Sequence, residues 1–226
     1  MTTMPARSRI FALLLLAGLL AASSLRAQTA LGSIEGQVLD ANNNSVPGAS
    51  VYIVSGPAGT GKSSLVLTNA DGRFRLESLV PGTYKISIFK VEDGYADTSI
   101  PFYADPSRPL PTVNVTSGVQ TSNQSFQLGA RCGTLHLNAN DATTHHLITT
   151  ATIVLHQRNI GSAVLQATNK ELPADFLVPP QDVTVAMEAP GYLTWRYNDD
   201  GHNYVTLRPG DQKSVQADML PVTPTK

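Results

Sequence analysis

The sequence predicts an all-β protein of two tandem antiparallel β-sandwiches behind an N-terminal export signal, and three observations carry that prediction. From residue 32 onward, apolar and polar side chains alternate with period two between turns rich in Gly, Pro and Asn, which marks strands with one wet face. No segment beyond the leader shows a sustained i, i+3, i+4, i+7 stripe capped at both ends, so almost no helix is expected. Landmarks of the first half also recur, in the same order, in the second.

The leader comes first. Arg7 and Arg9 form a positive segment, Ile10 to Ala22 is an uncharged apolar run, and Ser23-Ser24-Leu25-Arg26-Ala27 ends in a small residue before Gln28. These are the parts of a Sec-type signal peptide over residues 1–27, cleaved near Ala27-Gln28. The apolar run falls short of the ~20 residues that span a hydrocarbon core, so no stable membrane insertion is expected after cleavage. The expected location is secreted, periplasmic or at the cell envelope. Three of the 16 basic residues lie in this leader and none of the 17 acidic ones, leaving 13 against 17 and a net charge of −4. No basic patch appears, which speaks against a nucleic-acid partner. Charged residues make up only 15% of the chain, and Thr, Ser, Asn and Gln replace them on the strand faces.

In the first sandwich, residues 30–128, Ile34 and Val38 alternate with Glu35 and Gln37, and Asp40 opens a polar turn through Ser45. Val51-Tyr52-Ile53-Val54 forms the next strand. A further strand pair carries Phe74 and Leu76, then Tyr84, Ile86 and Ile88. Asp71-Gly72 suits a tight hairpin and Pro81-Gly82 a type II turn. Pro106 to Pro111 reads as a long connection or edge rather than a linker, because Val113, Val115 and Thr121 to Leu128 continue the strand pattern.

The second sandwich, 129–222, follows from the ordered matches. Gly32 and Asp40 correspond to Gly133 and Asp141, Val80-Pro81-Gly82 to Val178-Pro179-Pro180, Gly94-Tyr95 to Gly191-Tyr192, and Gly118 with Leu128 to Gly210 with Leu220. Cys132 is the single cysteine, so no intramolecular disulfide is available; a buried, inert thiol is expected.

The series Gly32-x-Ile34-x-Gly36-x-Val38-x-Asp40, Val46-Pro47-Gly48-Ala49-x-Val51 and Thr68-x-x-Asp71-Gly72-x-Phe74-x-Leu76-x-x-Leu79-x-Pro81-Gly82-x-Tyr84-x-Ile86 resembles the carboxypeptidase regulatory-like domain. The resemblance is strong over 32–90 and weak over the second half. It implies an Ig-like or transthyretin-like sandwich, also grouped with carbohydrate-binding-like folds. It implies, too, a non-catalytic module of exported proteins, with no active-site residues to carry over.

Two constellations compete with a purely structural reading. Gly56 to Ser63 matches G-x-x-x-x-G-K-[ST], but Leu65-Val66-Leu67-Thr68 is β-prone where a phosphate loop needs a helix. A flexible hairpin loop is preferred, with nucleotide binding by 56–63 as the remote alternative. The stretch 192–204 gathers the only tryptophan with three tyrosines and several amide and carboxylate side chains. Tyr192, Trp195, Tyr197, Asn198, Asp199 and Tyr204 are its candidate ligand-binding residues, since sugars want aromatic faces beside hydrogen-bonding groups. The competing expectation is a strand with Leu193, Trp195 and Tyr197 on one face, followed by an Asn-Asp-Asp-Gly turn. His136, His145, His146 and His156 are not spaced to converge on a metal, and no nucleophile elbow or paired carboxylates stand out. Neither a cofactor nor an enzymatic activity is therefore expected. The expected function is a binding or interaction module for an envelope or extracellular protein or a glycan.

Overall fold

The computed structural model describes residues 30–58, 65–104, 107–158 and 163–222. The leader at 1–27 and Gly59 to Ser63 of the glycine loop lie outside the described residues.

The described chain is all-β. The N-terminal half contributes β1 (Gly32–Leu39), β2 (Ser50–Ser55), β3 (Val66–Leu67), β4 (Arg73–Leu79), β5 (Gly82–Phe89), β6 (Thr112–Val115) and β7 (Gln120–Gln127). They form one sheet in the order β4-β1-β7 and another in the order β3-β2-β5-β6. The C-terminal half contributes β8 (Gly133–Asp141), β9 (Thr150–Gln157), β10 (Val164–Glu171), β11 (Ala174–Val178), β12 (Asp182–Glu188), β13 (Trp195–Arg196), β14 (Val205–Thr206) and β15 (Gln212–Met219). Here the orders are β11-β8-β15 and β10-β9-β12, with β13 and β14 both pairing along β12. Among the described residues, two single 3-10 turns, Val91–Asp93 and Pro101–Tyr103, stand apart from the strands.

Period two becomes burial directly. Along β8 every second side chain is buried, with Leu135, Leu137 and Ala139 inward and Thr134, His136 and Asn138 outward. In β1, Ile34 and Val38 face a core with Phe74, Leu76, Tyr84 and Ile86. A second cluster collects Leu135, Leu137, Ile153, Leu155, Val183 and Met187. Truncating any of these large buried side chains to alanine costs about 2–5 kcal/mol.

Two expectations need correction. The sheets are not antiparallel throughout, because β1 pairs with β7 in parallel and β8 pairs with β15 in parallel. Such pairs join strands far apart in sequence through a crossover, which local alternation does not report. Second, β4 and β5 do not pair with each other: β4 pairs with β1 and β5 with β2. The turn at Asp71-Gly72 closes locally, with Gly72 N donating to Asn69 O and Asn69 N to Arg73 O, but the strands flanking it part into different sheets. Pro81-Gly82 is likewise a corner between sheets. Gly82 has φ +147 and leaves room for the Pro57 ring, whose Cγ would lie 2.3 Å from an added Cβ.

Gly72 and Gly201 separate two costs of a side chain. Both have positive φ, +70 and +82. At Gly201 nothing lies within 4 Å of an added Cβ, whereas at Gly72 it would sit 2.9 Å from both Val38 O and Val46 N, which are hydrogen-bonded to each other. Gly201→Ala is expected to cost about 1 kcal/mol and Gly72→Ala about 3 kcal/mol or more, read as urea midpoints. Equal costs would show that the contact at Gly72 relaxes freely.

Candidate functional site

The aromatic stretch 192–204 lies along one edge of the C-terminal half, and the fold divides its residues between two tasks. Tyr192 is structural: its hydroxyl donates to Asp141 Oδ2 at 3.0 Å and its ring packs on the core. The same bond to a carboxylate, with a smaller contribution from burial, raises the Tyr192 hydroxyl above its usual pKa. Trp195 and Tyr197 are half-buried against the core, edge to face with centroids 6.4 Å apart. Leu193, expected on their face, is exposed, and its N–H donates to Leu220 O beyond β15. Only Trp195-Arg196 pairs as a strand, so alternation does not extend to Leu193.

The turn that follows is a two-residue hairpin. Asp199 and His202 exchange N–H···O bonds at 2.9 and 2.8 Å around Asp200 and Gly201, whose φ values are +46 and +82. Two successive positive φ values make this a type I′ turn, which aspartate and glycine tolerate best.

This hairpin walls a shallow groove of about 490 Å³. Of the six candidate ligand-binding residues, Tyr197, Asp199 and Tyr204 line it; Tyr192, Trp195 and Asn198 do not. His202, of the same stretch, and Lys213, to which the sequence did not point, also line it, and Arg158 contacts Tyr204. His202 stands edge to face with Tyr204 at 5.6 Å, and Lys213 comes from β15. Arg158, just past β9, lies 4.0 Å from the Tyr204 ring centroid as a cation–π partner. No local signal near 192–204 pointed to residues this distant. The groove thus presents tyrosine and histidine rings beside two carboxylates, an ammonium and hydroxyls, which suits a hydroxyl-rich ligand.

A second polar group lies on the outer face of β2 and β5. Asp97 accepts from Tyr52 Oη at 2.8 Å, Ser87 Oγ at 2.6 Å and Ser99 N at 2.9 Å. Burial pushes its carboxyl up, but these donors outweigh burial and leave it below the usual value. Serine, aspartate and tyrosine together suggest chemistry, yet Ser87 has no exposed surface and its hydroxyl serves the carboxylate. The group fastens the 91–104 segment onto the sheet.

Asp40 and Asp141, matched in the sequence, do the same work. Asp40 Oδ1 accepts from Asn42 N and Asn44 N, both at 2.8 Å, and Asp141 Oδ1 from Thr143 N at 2.8 Å and Thr144 N at 2.7 Å. The Asn44 side chain chiefly lowers Asp40, and the Thr144 amide chiefly lowers Asp141. Asp40, Asp97 and Asp141 all release protons more readily folded than unfolded. Their contribution to stability is therefore complete above the unfolded value of 3.8 and is lost as pH falls through the lower folded values. The urea midpoint is expected to hold from about pH 7 to 5 and to fall below about pH 4, with a shallower fall in Asp40→Asn/Asp141→Asn. An unchanged acid slope in that variant would remove the two turns as its source.

Among solved structures, the Bacillus anthracis TIE protein is 17% identical over 85% of this chain and 34% of its own, with a TM-score of 0.36. A Streptococcal ancillary pilin is 13% identical over 87% and 64%, also at 0.36. The shaft pilin spaA from Lactobacillus rhamnosus GG is 8% identical over 87% and 100%, at 0.33. These likenesses are too loose to carry function. No curated protein sequence matches the chain. The family model of the carboxypeptidase regulatory-like domain matches residues 33–129, the span from β1 to just past β7, and so the family that the motifs of 32–90 resemble is the family that this part of the chain matches.

Proposed function

We propose that the protein is an exported, non-enzymatic interaction module of the cell envelope, built from two copies of one β-sandwich, 30–128 and 129–222. The match of residues 33–129 to a regulatory-like domain family carries the reading. The C-terminal half supports it by repeating the strand order, with β8, β9, β12 and β15 standing where β1, β2, β5 and β7 stand. The apolar leader Ile10 to Ala22 supports export. The partner is a protein or glycan met outside the cytoplasm.

A glycan is the more specific reading, and the groove beside the Asp200-Gly201 turn favours it. Tyr204 and Tyr197 supply apolar ring surface there, and Asp199, Asp200 and His202 supply hydrogen bonds. Trp195, half-buried beside Tyr197, serves as a fluorescent reporter rather than as the stacking platform.

Three measurements test this. Expression of the full chain should yield a mature form beginning at Gln28 in the envelope or medium, whereas deletion of residues 2–27 should keep it inside; a full chain retained in the cytoplasm would refute export. An oligosaccharide panel should include a ligand that quenches Trp195 fluorescence, with affinity reduced about tenfold or more by Tyr204→Ala. Silence across the panel removes the glycan reading and leaves the protein-partner one. Mg-ATP is expected to leave the melting temperature of wild type and Lys62→Ala alike unchanged; stabilisation of wild type alone would revive the glycine loop as a nucleotide site.

A further inference from the structure

A cavity of about 370 Å³ opens where the two halves meet, away from the aromatic groove. Its walls mix apolar and polar side chains, the apolar part drawn from Ile88 and Phe126 of the N-terminal half, Leu110 of the β5–β6 connection, and Pro179-Pro180 before β12. Its size lies in the range that encloses a small organic molecule.

The polar atoms in these walls are out of balance. Gln157, at the end of β9, is only 1% exposed and lines the cavity. Its Nε2 donates to Phe102 O. A carbonyl oxygen only accepts, so this bond decides which way the amide points and leaves Oε1 as a buried acceptor with no partner. Gln181 lines the same cavity and holds the converse: its Nε2 is a buried donor with no partner. Natural structures keep few buried polar atoms unpaired, because each carries its full desolvation cost. Arg108, exposed at the cavity's edge, adds a guanidinium and the only positive charge among the described lining residues.

An acceptor, a donor and a cation beside an apolar patch of the wall are the complement of one chemical pattern: an amide and a carboxylate on a compact apolar body. We propose that this cavity binds N-acylated amino acids or the C-terminal residues of a peptide. The amide N–H of such a ligand donates to Gln157 Oε1, its carbonyl accepts from Gln181 Nε2, and its carboxylate pairs with Arg108. Its side chain packs on Phe126, Leu110 and the two prolines.

Calorimetric titration of the full mature chain with N-acetyl-leucine, N-acetyl-alanyl-leucine and an octapeptide ending in the same two residues tests this. Saturable binding is expected, and blocking the carboxylate as the amide should weaken it about tenfold, as should Arg108→Ala. Gln181→Leu should raise the melting temperature of the free protein by removing an unpaired donor, yet weaken binding by a similar factor. Both positions lie at the edge of the fold rather than in a core cluster, so these variants should fold. Bound ligand should also slow alkylation of Cys132, which lines the cavity and is 5% exposed. Equal affinity for dipeptide and octapeptide identifies free small acids as the source, and a tighter octapeptide identifies a peptide tail. No heat with any of the three at millimolar concentration overturns the proposal, as does binding that Arg108→Ala and Gln181→Leu leave unchanged. Tyr204→Ala should not alter this binding, so its outcome stands apart from that of the glycan groove.

Discussion

One side chain of the N-terminal half is buried in the core of the C-terminal half. Phe102 belongs by sequence to the β5–β6 connection of the N-terminal half, yet its ring is 1% exposed within the core cluster of the C-terminal half. Full burial of a phenylalanine side chain contributes about 1.5–3 kcal/mol. Phe102 O accepts from Gln157 Nε2, and the neighbouring Tyr103 packs edge to face on Phe102 at 5.1 Å. The Tyr103 hydroxyl donates to Leu177 O at 3.3 Å, and burial, helped by the nearby Cys132, pushes its pKa up to about 12. At the other end of the same segment, Asp97 fastens the chain to Tyr52 and Ser87. One connection is therefore held to both sheet systems, and the cavity lined by Gln157 and Gln181 lies beside it.

Equivalent positions in the two halves meet equivalent demands. Asp40 and Asp141 each turn a carboxylate back onto the amides of the turn that follows. Gly94 and Gly191 both have φ +84, and Gly118 and Gly210 have φ +69 and +76. At Gly32 an added Cβ would lie 2.5 Å from Val115 Cγ1 of β6, and at Gly133 2.7 Å from Leu207 Cδ2 just past β14, so each opening glycine yields space to an apolar side chain arriving from later in the chain. Side chains between these landmarks differ, because an alternating pattern accepts many apolar residues while a positive φ or a close approach accepts few.

The candidate site was legible only in part, for a related reason. The density of aromatic and amide side chains in 192–204 points to that edge, and the Asp200-Gly201 turn is visible as a dipeptide. Which faces remain open is a tertiary matter. Tyr192 is taken up by Asp141, 51 residues earlier, and Trp195 by the core, while Lys213 joins the groove from β15 and Arg158, just past β9, packs on Tyr204. Composition locates a cluster; packing decides which of its members meet solvent.

By itself the sequence determined the all-β class, the turn positions and the family of the first span, since period-two burial and positive-φ turns act over a few residues and leave their mark locally. It also contained every landmark shared by the two halves. Only the tertiary structure decided that β4 and β5 separate into different sheets, that β7 and β15 return in parallel beside β1 and β8, and that Phe102 crosses into the other core. Those outcomes come from long-range burial and pairing, whose partners lie tens of residues away, so no window of neighbouring residues records them.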